Sequence, residues 1–209
     1  MRRSLLLIVL LLGLGVMLSA QNAIIERVNG KVEYRLAGGS WQAAGVNDRL
    51  PLTATISTGF GASAILNLGD SVLEVKQLTR VSINELSDNG LSADVFVPVG
   101  RVRAAVNSTA GRTADFRVRT PLSTASVRGT EFEQDAWTVQ VTEGIVAFAD
   151  MMNQTRDVGP QQISAISGGF PSDPLDEANG RANIGDGQGP GDFVGGPRTS
   201  GYITVRWGN

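Results

Sequence analysis

The chain contains no cysteine and no histidine. Without cysteine there are no disulfides, thiolate nucleophiles or thiolate metal sites. Without histidine, the commonest general base and the commonest metal ligand are both missing. Zinc would have to be held by carboxylates alone, an unusual donor set for that ion. Aromatic residues make up only 6% of the chain, so any core rests on aliphatic side chains. Charge of one sign is also lacking. The formal net charge is −2, and no global field calls for nucleic acid. These absences exclude most familiar hydrolase mechanisms and predict no cofactor and no metal.

The one long apolar run lies at the N-terminus. Arg2 and Arg3 precede a nearly unbroken apolar stretch from Ser4 to Leu18, which ends in the small residues Ser19 and Ala20. Basic, apolar, small is the order of a secretory signal peptide, with cleavage expected after Ala20. An uncleaved anchor is the alternative, but Gly13, Gly15 and the shortness of the run argue against it. With no cysteine after the run, a lipoprotein anchor is not expected. The expected location is the bacterial periplasm or cell surface, with no membrane span after cleavage.

From Ile24 to Ile166 the pattern is one of short alternating strands separated by glycine, asparagine and aspartate. Asn29-Gly30, between Ile24–Val28 and Lys31–Leu36, is the strongest hairpin signal. Gly69-Asp70 marks a second two-residue turn, between Ser63–Leu68 and Ser71–Val75. Helical periodicity is poor throughout, which predicts an all-β sandwich, roll or short solenoid. The composition changes after Ser167. Residues 168–201 are rich in glycine and proline and read as a linker, followed by a strand-like segment at 202–209. The expected organisation is signal peptide 1–20, β domain 21–167, linker 168–201 and terminal segment 202–209.

The most informative stretch is Arg119 to Phe132, a strand, glycine turn and strand. Thr120-Pro121 is followed by Ala125-Ser126-Val127-Arg128-Gly129-Thr130-Glu131-Phe132, and then by Val141-Thr142-Glu143-Gly144-Ile145-Val146. Upstream, Ile56-Ser57-Thr58-Gly59 leads into Ala62–Leu68 and Gly69-Asp70-Ser71. Trp41 and the Val158-Gly159-Pro160-Gln161 segment complete the pattern. With these motifs in this order, the chain resembles the FecR domain family over most of residues 24 to 166. The resemblance implies an all-β extracytoplasmic domain, with Thr120, Pro121, Val127, Arg128, Gly129, Thr130, Phe132, Glu143 and Gly144 as structural motif residues. The founding members are membrane-spanning regulators that relay a transporter signal to a cytoplasmic sigma factor. Here the apolar run begins at Ser4, so a cytoplasmic segment that holds a sigma factor is not expected.

Several patterns suggest chemistry and are better explained by structure. Gly69-Asp70-Ser71-Val72 matches the nucleophile block of GDSL-type esterases, but no histidine is present to take the serine proton, so the turn reading is preferred. Glu131, Glu133 and Glu143 offer carboxylate pairs of the kind glycosidases use. Glu131 and Glu133 share a strand face by alternation alone, with Arg117, Arg119 and Arg128 as expected ion partners. Six arginines lie between Val99 and Thr130, at 101, 103, 112, 117, 119 and 128, against one acid, Asp115. They read as a solvated face or an Arg–Glu ladder, with Arg117 and Arg119 as the candidate contacts for an anionic glycan. Trp41 and Trp137 are expected in the core. Tyr202 and Trp207, on the detached segment, are candidate docking residues. Gly185-Asp186-Gly187-Gln188-Gly189 lacks a phosphate-loop lysine and reads as linker.

The expected function is therefore a non-catalytic envelope interaction or scaffold module acting on another protein. Recognition of polysaccharide or peptidoglycan, or partnership with a separate regulator, are the alternatives.

Overall fold

The computed structural model describes residues 22–87, 92–107 and 115–176. Within them the chain forms strands β1 (Asn22–Asn29), β2 (Val32–Arg35), β3 (Gln42–Ala43), β4 (Arg49–Pro51), β5 (Thr55–Thr58) and β6 (Ser63–Asn67). It continues through β7 (Ser71–Val75), β8 (Arg80–Leu86), β9 (Ser92–Val99), β10 (Val102–Val106), β11 (Asp115–Arg119), β12 (Ser123–Val127) and β13 (Glu131–Gln134). The series closes with β14 (Thr138–Glu143), β15 (Val146–Asp150), β16 (Thr155–Val158), β17 (Gln162–Ser167), β18 (Phe170–Pro171) and β19 (Leu175–Asp176). No helix occurs among the described residues, so none there is long and apolar enough to cross a membrane.

The strands build two sheets that face each other as a sandwich. The first runs β18-β17-β14-β13-β10-β7-β6-β1-β4, with β19 also on β17, and the second runs β16-β15-β12-β11-β9-β8-β5-β2-β3. Beyond the N-terminal cap of β3 and β4, strand number rises steadily along both sheets. The chain therefore winds forward between the layers, and each segment packs mostly on near neighbours in sequence, as in a solenoid. Pairing is antiparallel except for β9 with β11, whose register sets Arg117 beside Asp94.

Alternation explains the layers. In β7, Ser71, Leu73 and Val75 are buried while Val72 and Glu74 are only partly covered, and β10, β12 and β15 repeat the pattern. The inward residues merge into one core in which Phe116, Phe132 and Phe148 are the largest fully buried side chains. Burying each ring contributes about 1.5–3 kcal/mol over leaving it exposed.

A short repeat, not apparent from periodicity, turns the chain between layers. Gly30-Lys31-Val32 joins β1 to β2, Gly100-Arg101-Val102 joins β9 to β10, and Gly144-Ile145-Val146 joins β14 to β15. Each glycine has positive φ (70°, 96° and 81°), and each valine is buried. At two of these corners a neighbouring turn presses against the glycine. A Cβ on Gly100 would stand 2.5 Å from the Thr79 Cα, and one on Gly144 would stand 2.7 Å from the Gly129 carbonyl oxygen. Glycine is required there for both conformation and space.

The corners correct the hairpin expected at Asn29-Gly30. β1 pairs with β4 and β6, whereas β2 pairs with β3 and β5, so the two strands lie in different sheets. The Gly69-Asp70 hairpin does form: β6 and β7 pair in register, and the Leu68 N–H donates to the Ser71 carbonyl at 2.8 Å. The sheet also extends past Ser167, because β18 and β19 pair with β17 across a stretch read as linker. Trp41 and Trp137, expected in the core, are 37% and 58% exposed. Both sit outside the strands, at Trp41 just before β3 and at Trp137 in the turn before β14, where the alternating inward positions do not reach.

Candidate interaction surface

The motif residues form two corners of the sandwich. At one, Thr130 is buried and exchanges backbone hydrogen bonds with Val106 at 3.0 and 3.1 Å, while its hydroxyl donates to the Ile145 carbonyl at 3.1 Å. Gly129 and Gly144 meet over this threonine. Val127 and Phe132 point into the core, whereas Arg128 and Glu143 are exposed. At the other corner, Thr120 Oγ1 accepts the backbone N–H groups of Leu122 and Ser123 at 3.2 and 3.0 Å, and Pro121 is exposed. Gln134, buried in the same region, donates to Ser123 Oγ at 3.1 Å. Each of these side chains shapes a turn or fills the core.

Arg101, Arg103, Arg117 and Arg119 are matched by acids. Arg101 bonds Glu133 at 3.2 Å and Asp135 at 2.8 Å, and Arg103 bonds Glu131. Arg117 bonds Asp115 at 2.6 Å and Arg119 bonds Asp94 at 2.8 Å. Glu131 and Glu133 therefore pair with Arg103 of adjacent β10 and with Arg101 just before it, and not with Arg117, Arg119 or Arg128, because β11 and β12 lie in the opposite sheet. Burial pushes the Asp135 carboxyl up. The Trp137 N–H, the Arg101 guanidinium and the Thr138 N–H outweigh that effect and hold it below the usual aspartate value. Its bond to Asp135 in turn holds the Arg101 guanidinium above its ordinary value. With their charge balanced, Arg117 and Arg119 no longer form a free basic face.

The two long edges of the sandwich are lined by turns, and along one of them hydrogen bonds link turn to turn. The Gly59 N–H donates to the Lys31 carbonyl at 2.9 Å, Leu78 to Gly59 at 3.1 Å, and Lys76 to Arg101 at 3.1 Å. Arg101 reaches the 135–137 turn through Asp135, the Thr120 hydroxyl reaches the Ala136 carbonyl at 3.4 Å, and the Ile166 N–H reaches the Trp137 carbonyl at 2.7 Å. Ser123 lies opposite Asp150 in register, so the 150–154 turn belongs to the same edge.

This edge carries large apolar side chains in the open. Phe60 is 86% exposed, Met151 74% and Met152 77%, and Leu78, Trp137 and Phe170 are also exposed. Apolar groups scattered singly are ordinary, whereas several along one edge form the kind of exposed surface that interaction sites present. The sequence held a usable signal for them. Phe60 lies between Gly59 and Gly61, Phe170 follows Gly169, and Met151-Met152 closes a strand, all turn positions that have no core to fill. Tyr202 and Trp207, the other candidate docking residues, lie outside the described residues.

No group of carboxylates able to hold a metal ion occurs among the described residues. A cleft lined by Glu85, Asp94, Asp115 and Arg117 has a volume of about 80 Å³, well below the few hundred Å³ of a small-molecule site.

The family model described as FecR protein matches residues 54–147. Two crystal structures described as candidate anti-sigma factors from Parabacteroides distasonis resemble the fold. The first has a TM-score of 0.51 at 21% identity, over 64% of this chain and 65% of that one. The second has a TM-score of 0.49 at 21% identity, over 62% and 64%. The chain thus spans about 65% of the length of the first, and at this identity the likeness concerns the fold alone. No curated protein matches the sequence.

Proposed function

Since residues 54–147 form a FecR domain, we propose that this chain is a non-catalytic interaction module of the bacterial cell envelope. It binds another protein through the apolar turn edge. The observation that carries the reading is the row of exposed Phe60, Leu78, Trp137, Met151 and Met152 on turns that hydrogen bonds and strand register bring to one edge. A rigid row of apolar anchors suits a protein surface, because such anchors supply most of the binding energy of an interface. Export is supported by Arg2-Arg3 and the apolar run after them. Signalling as the partner of a separate regulator is a form of the same reading. The Tyr202–Trp207 segment adds a second contact.

The test is affinity capture of the tagged full chain from cross-linked envelope, beside a variant carrying Phe60→Ser, Trp137→Ser and Met152→Ser. These side chains are exposed, so the variant keeps the stability of the parent to within about 1–2 kcal/mol. Loss of a reproducible partner supports the reading, and capture unchanged by all three substitutions overturns it. A chain ending at Asp176 keeps β18 and β19 and reports separately on the tail.

A further inference from the structure

Two arginines outside the 101–128 stretch that the sequence pattern singled out converge on one tryptophan. On the outer face of the second sheet, the guanidinium carbons of Arg35 and Arg80 stand 4.9 and 5.6 Å from the centroid of the same Trp41 ring. Among the described residues neither has a carboxylate partner, and Glu33, the acid on the same face, is paired with Lys31 at 3.2 Å. Register explains the convergence. Arg35, Thr55 and Ser82 form one row across β2, β5 and β8, and Glu33, Ser57 and Arg80 form the next. Their neighbours Val32, Ile56, Val81 and Ile83 are buried, so these rows share the outer face. The two arginines thus sit diagonally across a floor of hydroxyls, with Thr55 and Ser82 in contact at 3.1 Å. Trp41, ahead of edge strand β3, leans over them.

We propose that Arg35, Trp41 and Arg80 form a binding site for an anionic sugar unit of a polysaccharide. Two guanidinium forks held by one indole are pre-organised for a carboxylate or phosphate, which accepts two parallel hydrogen bonds from each fork. The hydroxyls of Thr55, Ser57 and Ser82 supply donors and acceptors for sugar hydroxyls, and the indole supplies an apolar face. An acidic peptide fits less well. Peptides dock on sheets by pairing along an edge, and β3 is only 2 residues long. This site lies on the outer face of the second sheet, next to the turn edge that carries Phe60 and Leu78, and its residues are not those of the edge.

Calorimetric titration of the full chain tests the proposal with four probes. Trigalacturonate presents a sugar carboxylate, glucose 6-phosphate a sugar phosphate, maltotriose a neutral sugar and pentaglutamate an acidic peptide. Saturable, salt-sensitive binding of either anionic sugar is expected, and which of the two binds more tightly identifies the anion. The Arg35→Gln/Arg80→Gln variant should weaken it by roughly tenfold or more, and Arg35→Lys/Arg80→Lys by less. Trp41→Ala should weaken it too, with Trp41→Phe restoring part. Arg117→Gln/Arg119→Gln removes the same charge at ion-paired positions and should change binding by less than about twofold. Circular dichroism confirms that each variant is folded. Any of four results overturns the proposal: no saturable binding of either anionic sugar, equal binding of maltotriose, binding of pentaglutamate at least as tight, or the two glutamine variants behaving alike.

Discussion

Replacing Gly100 by alanine should destabilise the domain far more than the same change at Gly38, and the difference isolates the packing of one turn on the next. Both glycines lie in the left-handed region, Gly100 at φ 96° and Gly38 at φ 71°. The conformational term is thus shared, at about 1–2 kcal/mol, offset by about 0.4–1 kcal/mol from the stiffer unfolded chain. At Gly38 a Cβ meets nothing within 4 Å. At Gly100 it would stand 2.5 Å from the Thr79 Cα and 2.6 Å from its Cβ, so backbone must move. Such overpacking costs about 1–3 kcal/mol. The shift also endangers the hydrogen bond from the Arg101 N–H to Thr79 Oγ1 at 3.0 Å, whose loss adds about 1 kcal/mol. Gly38→Ala should therefore cost about 0–1.5 kcal/mol and Gly100→Ala about 2–5.5 kcal/mol. At roughly 2–4 °C per kcal/mol, the second lowers the melting temperature by roughly 4–22 °C. Urea unfolding followed by circular dichroism measures both, and an unchanged slope shows that stability changed without a change in the surface exposed on unfolding. If the two variants lie within about 1 kcal/mol of each other, the stacked-corner account is wrong.

Three further outcomes are expected. Phe132→Ala removes a fully buried ring and should cost about 3–5 kcal/mol by urea unfolding. Asp135→Asn keeps an acceptor for the Trp137 and Thr138 N–H groups but loses the charge that faces Arg101. The Asp135 carboxyl titrates below its unfolded value, so its ionisation adds stability above about pH 4 and loses it as the pH falls through the lower folded value. The stability gap between parent and variant should thus be constant from about pH 5 to 8 and close in stronger acid. Arg103→Gln breaks a half-exposed ion pair with Glu131 and should cost under about 1 kcal/mol, an effect that shrinks further in high salt.

The strands were legible because alternation is a local property. Within Ser63–Leu68 and Ser71–Val75, and again within Ser123–Val127 and Thr130–Gln134, every second residue is buried. Pairing was legible only where a turn settled it. Gly69-Asp70 closes a hairpin, while Asn29-Gly30 uses the same backbone freedom to send the chain into the other sheet. The two differ in what the flanking strands pack on, which no short window contains. The ion pairs show the same limit. Arginines and acids were visible, but β10 against β13 is a long-range register, and Glu131 found Arg103 where neighbours in sequence had been expected. Tryptophan misled in another way. Its size suggested core, yet Trp41 covers two arginines on an outer face and Trp137 caps a turn. The apolar edge was written in the turns themselves, in Phe60, Leu78 and Met151-Met152, but only the fold brings these to one side.

Site-specific photo-crosslinking in envelope-containing cells tests the central claim most directly. A benzophenone amino acid is placed in the full chain at position 60 or 152 on the apolar edge, or at position 140 on the outer face of the first sheet. The account predicts that both edge positions yield an adduct with the same protein and that position 140 does not. An adduct from position 140 with neither edge position reacting would contradict it.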